Sequence, residues 1–299
     1  MNNIKTHFSI KDLENLSGIK AHTIRIWEKR YHLLEPERTD TNIRYYTIDS
    51  LQKLLNVSYL NDNGYKISKI AALKTDKIKS IVRKLALSND KNNHALMTLK
   101  LAMLNFDQHL FHNTYNNLAK ENSFETIFKH TFIPLLNDIG LLWQTDTITP
   151  AHEHFISSLI RQKIIFNIET VQSKSINDNS KTYVLFLPDN EVHELGLMYI
   201  HYALVSKGYN AIFLGQSVPL KSLNDVLGHY NHITFITYFT VKPEKDKIIS
   251  YLEEFETNLL AQNKNQLLIL GSMLQHIDSK ELPKSITLYL TINDLLKKF

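Results

Sequence analysis

The chain has 299 residues, of which 43% are hydrophobic, so it is long enough for two or three packed domains. It contains no cysteine, which excludes disulfides, thiolate metal sites and cysteine nucleophiles. The net charge of +4 is uneven: residues 1–90 hold 16 Lys and Arg against 10 Asp and Glu, whereas the remainder is slightly acidic. A basic N-terminal segment favours a polyanionic partner.

The N-terminal residues lack the apolar core of a signal peptide, and no run of about 18 apolar residues is long enough to span a bilayer. We therefore expect a cytoplasmic protein without membrane association.

Residues 9–31 have the pattern of two short helices separated by a turn. Ser9 is a helix N-cap, Gly18 marks the turn, and a second helix is predicted from about Ala21 to Lys29. A helix pair of this kind is the helix-turn-helix plan, in which the second helix enters the major groove of DNA. The stretch "PERTDTNIRYY" is predicted to form a hairpin wing.

The run "TIRIWEKRYHLL" with the arginines and tyrosines of the wing resembles the winged helix-turn-helix of MerR-type transcriptional regulators. The resemblance implies a DNA-binding domain at residues 1–80 that binds a double-stranded operator as a dimer. It assigns Trp27 and Glu28 to structural roles. The DNA-contacting set that it implies is Thr23, Arg25, Arg30, Tyr31, Arg38, Arg44 and Tyr45.

Residues 88–172 contain long helical patterns with few glycines, and "SKSINDNS" at 173–180 is the predicted linker. From 181 to 299, short apolar runs alternate with helical patterns at about 30 residues per unit. This alternation predicts a doubly wound, five-stranded parallel sheet covered by helices on both faces. The fold class is thus multidomain α and α/β.

The segment Glu191-Val192-His193-Glu194-Leu195-Gly196 follows the first strand of that sheet, where open parallel sheets bind their ligands. The imidazole of His193 can ligate a transition metal while Glu191 holds the proton of the other ring nitrogen. Gly196 would let a planar ligand approach the backbone. For an isolated motif, an ordinary solvent-exposed histidine remains an alternative.

This segment resembles the D/E-x-H-x-x-G signature of Rossmann-like cobalamin-binding domains, here residues 181–299. The resemblance implies that His193 is the lower axial ligand of cobalt. It also implies that Thr237 and Gly271, at the ends of the third and fourth strands, line the channel for the nucleotide tail. Tyr238 and Ser272 depart from the usual pattern at those two places.

The stretch "WQTDTITPAHEHF" places Trp143 nine residues before Glu153-His154. A buried tryptophan followed by a capped helix is the simpler interpretation of this spacing. The spacing also resembles the four-helix-bundle capping domain of MerR-type cobalamin photoreceptors, at residues 88–172. That resemblance implies that Trp143, Glu153 and His154 surround the adenosyl group. Gln144 supplies no imidazole for the vacated cobalt site, for which His152 is a candidate.

Taken together, the resemblances imply a repressor controlled by adenosylcobalamin and light, which forms a dimer or tetramer through its cofactor. Methylcobalamin remains an alternative cofactor. A second alternative keeps the architecture but has lost the cofactor, so that the domain serves dimerisation, a partner or another effector. A cobalamin enzyme of the methyltransferase or mutase type is not expected, since the chain shows no acid–base or nucleophile constellation for a substrate.

Overall fold

A computed structural model describes residues 7–39, 42–88, 91–144, 147–172, 178–230, 232–261, 265–274, 277 and 282–299. The chain divides into two compact units, Met1–Leu159 and Ile160–Phe299. None of the helices in the described ranges is both long and apolar enough to cross a membrane.

The first unit begins with a helix-turn-helix. Helix α1 (Ile10–Ser17) starts with a capping box in which Ser9 and Asp12 satisfy each other's backbone N–H groups. It ends at Gly18, whose φ of 74° is the left-handed conformation that glycine adopts most easily. Helix α2 (Ala21–Tyr31) follows, and strands β1 (Glu37–Arg38) and β2 (Arg44–Tyr45) pair antiparallel as the wing.

The rest of the first unit is helical. Its helices are α3 (Ile48–Asp62), α4 (Ile67–Ala71), α5 (Thr75–Ser88), α6 (Lys91–Leu104), α7 (Gln108–Ala119), α8 (Phe124–Ile127), α9 (Ile133–Gln144) and the first part of α10 (Pro150–Gln172). A π-helical turn at Phe128–Phe132 joins α8 to α9. Stacked aromatic rings, among them Phe111, Tyr115 and Phe132, fill the core of this bundle.

The second unit is built on a five-stranded sheet whose pairings are all parallel, in the order β4-β3-β5-β6-β7. The strands are β3 (Asp178–Pro188), β4 (Tyr209–Val218), β5 (Ile233–Tyr238), β6 (Gln266–Leu270) and β7 (Ile286–Leu288). The helices are α11 (Leu195–Ser206), α12 (Asn224–Leu227), α13 (Ile248–Phe255) and α14 (Ile292–Leu296).

Helices cover both faces of the sheet, because successive side chains of a strand point to opposite faces. On one face, Phe235 and Phe239 pack with Phe255 and Tyr251 of α13. On the other face, Tyr238 approaches helix α11. Both faces are apolar, as expected for strands that are buried on two sides.

The predicted fold class is confirmed, including the winged helix-turn-helix and the five-stranded parallel sheet. Two local predictions differ. Strand β3 begins at Asp178, inside the predicted linker, while 173–177 lie outside the described residues. After β4, where the alternation predicts a helix, the chain forms only a short 3-10 turn, Leu220–Leu223, and the single-turn helix α12.

Candidate cofactor site and DNA-binding surface

His193 lies in the loop after β3 with Glu191 directly beneath it. Its Nδ1 is 2.5 Å from the Oε1 of Glu191, whose side chain is 1% exposed, while the His193 side chain is 51% exposed. A carboxylate at this distance holds a proton on Nδ1 and so makes Nε2 the unprotonated nitrogen of the neutral ring. This tautomer is the one that ligates a metal, and the carboxylate increases its basicity.

Glu191 also ties two loops together. Its Oε1 accepts the backbone N–H groups of Val192 and His193, at 2.9 and 3.1 Å. Its Oε2 accepts those of Thr240, Val241 and Lys242 at 3.2, 2.7 and 2.8 Å. Five backbone donors therefore converge on one buried carboxylate from the loops after β3 and β5. The His193 loop is fixed in place by hydrogen bonds to the carboxylate and not by its own packing alone.

The environment of Glu191 favours the ionised form. Burial by itself would raise the pKa, but hydrogen bonds from His193 and from the backbone of Lys242, Val241 and His193 lower the pKa to about 2. Near neutral pH the group is therefore a carboxylate, which is the form needed to accept all of these hydrogen bonds.

Gly196 is the second residue of α11 and lies against an aromatic ring. A Cβ added there would be 3.3 Å from Cε2 of Tyr238 and 3.6 Å from Cδ1 of Ile292. The sequence predicted that Gly196 makes room for a ligand. In the structure, the space beside it contains the Tyr238 side chain.

Thr237 and Gly271 lie at the ends of β5 and β6, as predicted. Thr237 has no exposed surface and shares the face of β5 with Phe235 and Phe239, opposite to Gly196. Its predicted place along the channel for the nucleotide tail stays a prediction. Gly271 has φ of 127°, and a Cβ there would be only 2.0 Å from the carbonyl oxygen of Phe239. The need for glycine at 271 thus comes from a close backbone approach within the fold.

The first turn of α10 presents Glu153 and His154. The Nδ1 of His154 is 3.1 Å from Oε2 of Glu153, and the side chains are 78% and 34% exposed, respectively. Ser157 donates to Oε1 of Glu153 at 2.9 Å. Trp143 belongs to α9, but its side chain lies outside the described residues. The structure therefore pairs two of the three residues predicted to form the adenosyl pocket.

His152 points into the first unit. It is 3% exposed, its Nδ1 contacts the N–H and hydroxyl of Thr149, and its ring stacks on Phe106 at 4.7 Å. This histidine secures the start of α10 and is not presented at the surface, so the structure does not support it as a substitute cobalt ligand.

Helix α2 has one buried and one exposed side. Ile24 and Trp27 are buried, whereas Arg25 and Arg30 are exposed and Thr23 is half-buried. The guanidinium of Arg30 lies 5.5 Å from the ring centre of half-buried Tyr31, which orients it by a cation–π contact. The predicted DNA-contacting residues of this helix thus lie along its outer side.

The wing is anchored to α2 through Glu28. Buried Tyr46 donates its hydroxyl to Glu28 at 2.5 Å, and the Nε of exposed Arg44 lies 4.0 Å from the same carboxylate. Burial, followed by the contact with Glu28, raises the pKa of Tyr46. Glu28 is therefore structural, as the sequence implied, and holds the wing at a fixed position beside the recognition helix.

Two other wing residues already have protein partners. Arg38 donates to the side-chain oxygen of Asn42 at 2.6 Å, and the Tyr45 hydroxyl donates to Glu37 at 2.7 Å. Both contacts are at the surface, so either side chain can exchange its partner for a phosphate at little cost.

The sequence interpretation missed two features of the cofactor site. The backbone donors of residues 240–242 carry no side-chain signal and could not be found from residue types. The position of Tyr238 could have been inferred, because alternation along β5 puts residue 238 on the face opposite to Phe235.

Comparison with known families agrees with this architecture. Residues 8–77 match the MerR HTH family regulatory protein, and residues 96–166 match the B12 binding domain. The chain therefore carries a MerR-type helix-turn-helix domain, followed by a B12 binding domain in its helical part.

Two curated relatives from Myxococcus xanthus are similar in sequence to this chain over most of their own length. The HTH-type transcriptional repressor CarH is 28% identical over 223 residues, which cover 72% of this chain and 73% of CarH. The repressor CarA is 24% identical, covering 72% of this chain and 70% of CarA. Among solved structures, the Methanosarcina barkeri monomethylamine corrinoid protein superposes with a TM-score of 0.56 at 12% identity, covering 69% of this chain and 97% of that chain. This last similarity shows the fold alone.

Proposed function

We propose that this regulator is a repressor that binds adenosylcobalamin, and that light acting on the cofactor changes its oligomeric state and its affinity for DNA. The observation that carries the proposal is the Nδ1 of His193 held 2.5 Å from the buried carboxylate of Glu191. An exposed imidazole with a fixed tautomer is a suitable protein ligand for a transition metal such as cobalt. The similarity to the repressors CarH and CarA supports the regulatory part.

The residues around His193 fit a metal held by a macrocycle. His193 would hold the cobalt through Nε2, and Glu191 would keep the Nδ1 proton and the ring orientation. Across the described residues there is no group of three His, Asp or Glu side chains that could hold a metal ion without such a ring. Trp143, Glu153 and His154 would contact the adenosyl group. When bound, adenosylcobalamin supplies a cobalt–carbon bond that green light can break.

The DNA-binding modules explain why oligomerisation would control repression. A single helix-turn-helix offers only a few cations, here with Arg25, Arg30 and Arg44 at the surface. Joining several modules in a dimer or tetramer makes each further binding event intramolecular, which raises avidity by orders of magnitude. A cofactor that favours one assembly by roughly 5.5 kcal/mol would shift its population from about 1% to about 99%.

The test uses the purified full-length chain. It is mixed with adenosylcobalamin in the dark, desalted, and examined by absorption and size-exclusion chromatography before and after green light. We expect retained cofactor in the dark, and a change in both spectrum and size after illumination. A fluorescent operator duplex added to both samples measures the change in DNA affinity.

Two variants separate ligation from nonspecific uptake. His193→Ala should lose the retained colour, whereas His229→Ala, at an exposed turn of the same unit, should keep it. Glu191→Gln keeps the size of the side chain but replaces one acceptor with an NH2 group, so cofactor affinity should fall by about 10- to 100-fold. If the wild-type protein retains no colour after desalting, control by the cofactor is refuted. Retained colour with no response to light would refute the light-dependent part alone.

A second candidate function is favoured by the ring of Tyr238 beside Gly196. Under this alternative, the second unit binds no cofactor and instead mediates dimerisation or binds a protein partner or another effector. It predicts a colourless protein whose operator binding is unaffected by adenosylcobalamin.

A further inference from the structure

The order β4-β3-β5-β6-β7 places the reversal of strand order between β3 and β5. In open parallel sheets, ligands bind in the crevice beyond the carboxyl ends of the strands at this reversal. Here that crevice is bordered by the His193 loop after β3 and by residues 239–242 after β5. The two loops are joined at their bases by Glu191.

The ring of Tyr238 projects from the end of β5 into this region. It reaches helix α11, where a Cβ on Gly196 would be 3.3 Å from Cε2 and 3.6 Å from Cδ2. The Tyr238 residue is half-buried, and this burial raises the pKa of its phenol. A protein side chain thus fills the space beside the third residue after His193.

Gly196 has no backbone reason to be glycine. It lies within a helix, where glycine is about 1 kcal/mol less favourable than alanine, and its φ is not positive. Gly271 is different, because its φ of 127° and the Phe239 carbonyl both require glycine. What Gly196 provides is room, and in this structure Tyr238 uses that room.

The chemistry of the proposed cofactor makes the crevice relevant. If His193 holds the cobalt, the cofactor's own nucleotide base would have to lie elsewhere. A flat base of this kind needs an apolar slot close to His193, and the crevice beside Gly196 is already filled.

We infer that Tyr238 closes the nucleotide slot, so that the chain accepts tail-less corrinoids, such as cobinamide, at least as well as complete cobalamin. The inference rests on the proposed cofactor binding and deepens it by naming the specificity-determining residue. Tyr238 acts by its bulk. A complete cofactor must displace the Tyr238 ring or leave its nucleotide base outside the slot. A corrinoid without the base can bind while the ring stays in place.

The main test compares adenosylcobalamin with adenosylcobinamide by equilibrium dialysis in the dark, using the full-length chain. For the wild-type protein the two dissociation constants should agree within about threefold, or favour cobinamide. In Tyr238→Ala the affinity for cobalamin should rise by about tenfold, with that for cobinamide unchanged. Tyr238→Phe keeps the ring and should behave as wild type. If Tyr238→Ala does not fold, Tyr238→Leu replaces it, because leucine removes the aromatic ring but less of the side-chain volume.

A second readout needs no cofactor. Gly196→Ala should lower the Tm of the apoprotein, because its methyl group would press on the Tyr238 ring. In the Tyr238→Ala background the same substitution should raise the Tm, because alanine is the better helix former.

The outcomes separate the inference from the proposed function. A wild-type preference for cobalamin over cobinamide of more than about tenfold would overturn the inference and leave cofactor binding intact. An unchanged ratio in Tyr238→Ala, or equal effects of Gly196→Ala in both backgrounds, would also overturn it. If no variant retains either corrinoid, the proposed function fails and the inference falls with it.

Discussion

Arg161 of helix α10 forms an ion pair with Glu194, the residue directly after His193. The Nε–Oε1 distance is 2.7 Å, yet the N–H is not aimed at that oxygen, so the contact is electrostatic and not a well-formed hydrogen bond. Glu194 is 6% exposed whereas Arg161 is 53% exposed. The carboxylate therefore depends on one largely exposed cation for charge compensation, and the His193 loop is attached to α10 through this pair.

Removing Arg161 should destabilise the second unit. Arg161→Ala leaves a buried carboxylate without its cation, which we expect to cost about 1–3 kcal/mol in the free energy of unfolding. Urea unfolding of the apoprotein measures this change. Arg161→Lys preserves the charge and serves as the control. Adding Glu194→Gln to Arg161→Ala should recover most of the loss, and no recovery would show that the pair contributes nothing.

The exposed arginines of α2 should contribute to DNA affinity through phosphates. Arg25→Ala and Arg30→Ala should each weaken operator binding and reduce the slope of log K against log salt concentration by about 1. Fluorescence anisotropy at several salt concentrations measures both quantities. Lys207→Ala, an exposed cation at the end of α11, is the matched control. A slope unchanged by both arginine variants would remove α2 from the interface.

The stability of the second unit should fall on mild acidification because of His201. Burial lowers the pKa of this histidine, although its Nε2 donates to the carbonyl of Ala211 at 3.3 Å, and its exposure is 8%. The unfolded chain therefore takes up a proton below pH of about 6.5 that the folded chain resists. The free energy of unfolding should drop as pH falls, by up to about 1.4 kcal/mol per pH unit.

Urea titrations between pH 7.5 and 5.5 test this dependence on His201. His201→Gln should flatten the pH profile, because the amide can still donate to Ala211 but does not titrate. His229→Gln, at an exposed turn, should leave the slope as in wild type. An identical slope in His201→Gln would show that His201 does not cause the acid sensitivity of the second unit.

Two glycines should respond to alanine in opposite directions. Gly271→Ala would place a Cβ 2.0 Å from the Phe239 carbonyl oxygen at φ of 127°, so we expect a loss of about 3 kcal/mol or more. Gly140→Ala, inside α9 with no atom within 4 Å of the added Cβ, should gain about 0.5–1 kcal/mol. Tm values of both variants check this pair. Equal effects would contradict the close approach of residues 239 and 271.

The sequence was most informative where periodicity and a specific motif agreed. Alternating apolar runs predicted the five parallel strands, and the pattern from Ser9 to Arg30 predicted the helix-turn-helix. The strands and the helix-turn-helix are local structures, and the spacing of apolar side chains along the chain predicts such structures directly. The loop that carries His193 was also placed correctly after β3.

Contacts between distant segments could not be predicted in the same way. Backbone N–H groups of residues 240–242 bind Glu191 some fifty positions away, and every residue type has such a group. The contact between Tyr238 and Gly196 was missed, although alternation along β5 puts residue 238 on the face opposite to Phe235. Side-chain chemistry suggested a kind of site, while the direction of each side chain required the fold.

The five backbone N–H groups that bind Glu191 affect both the rate of ligand binding and the entropy lost when a ligand binds. Because the carboxylate already immobilises both loops, their conformational entropy is lost during folding and not at the moment of binding. A ligand that binds at His193 would therefore not have to order these loops. Loading should then be limited by a single side-chain rearrangement at the crevice, and not by the ordering of a loop.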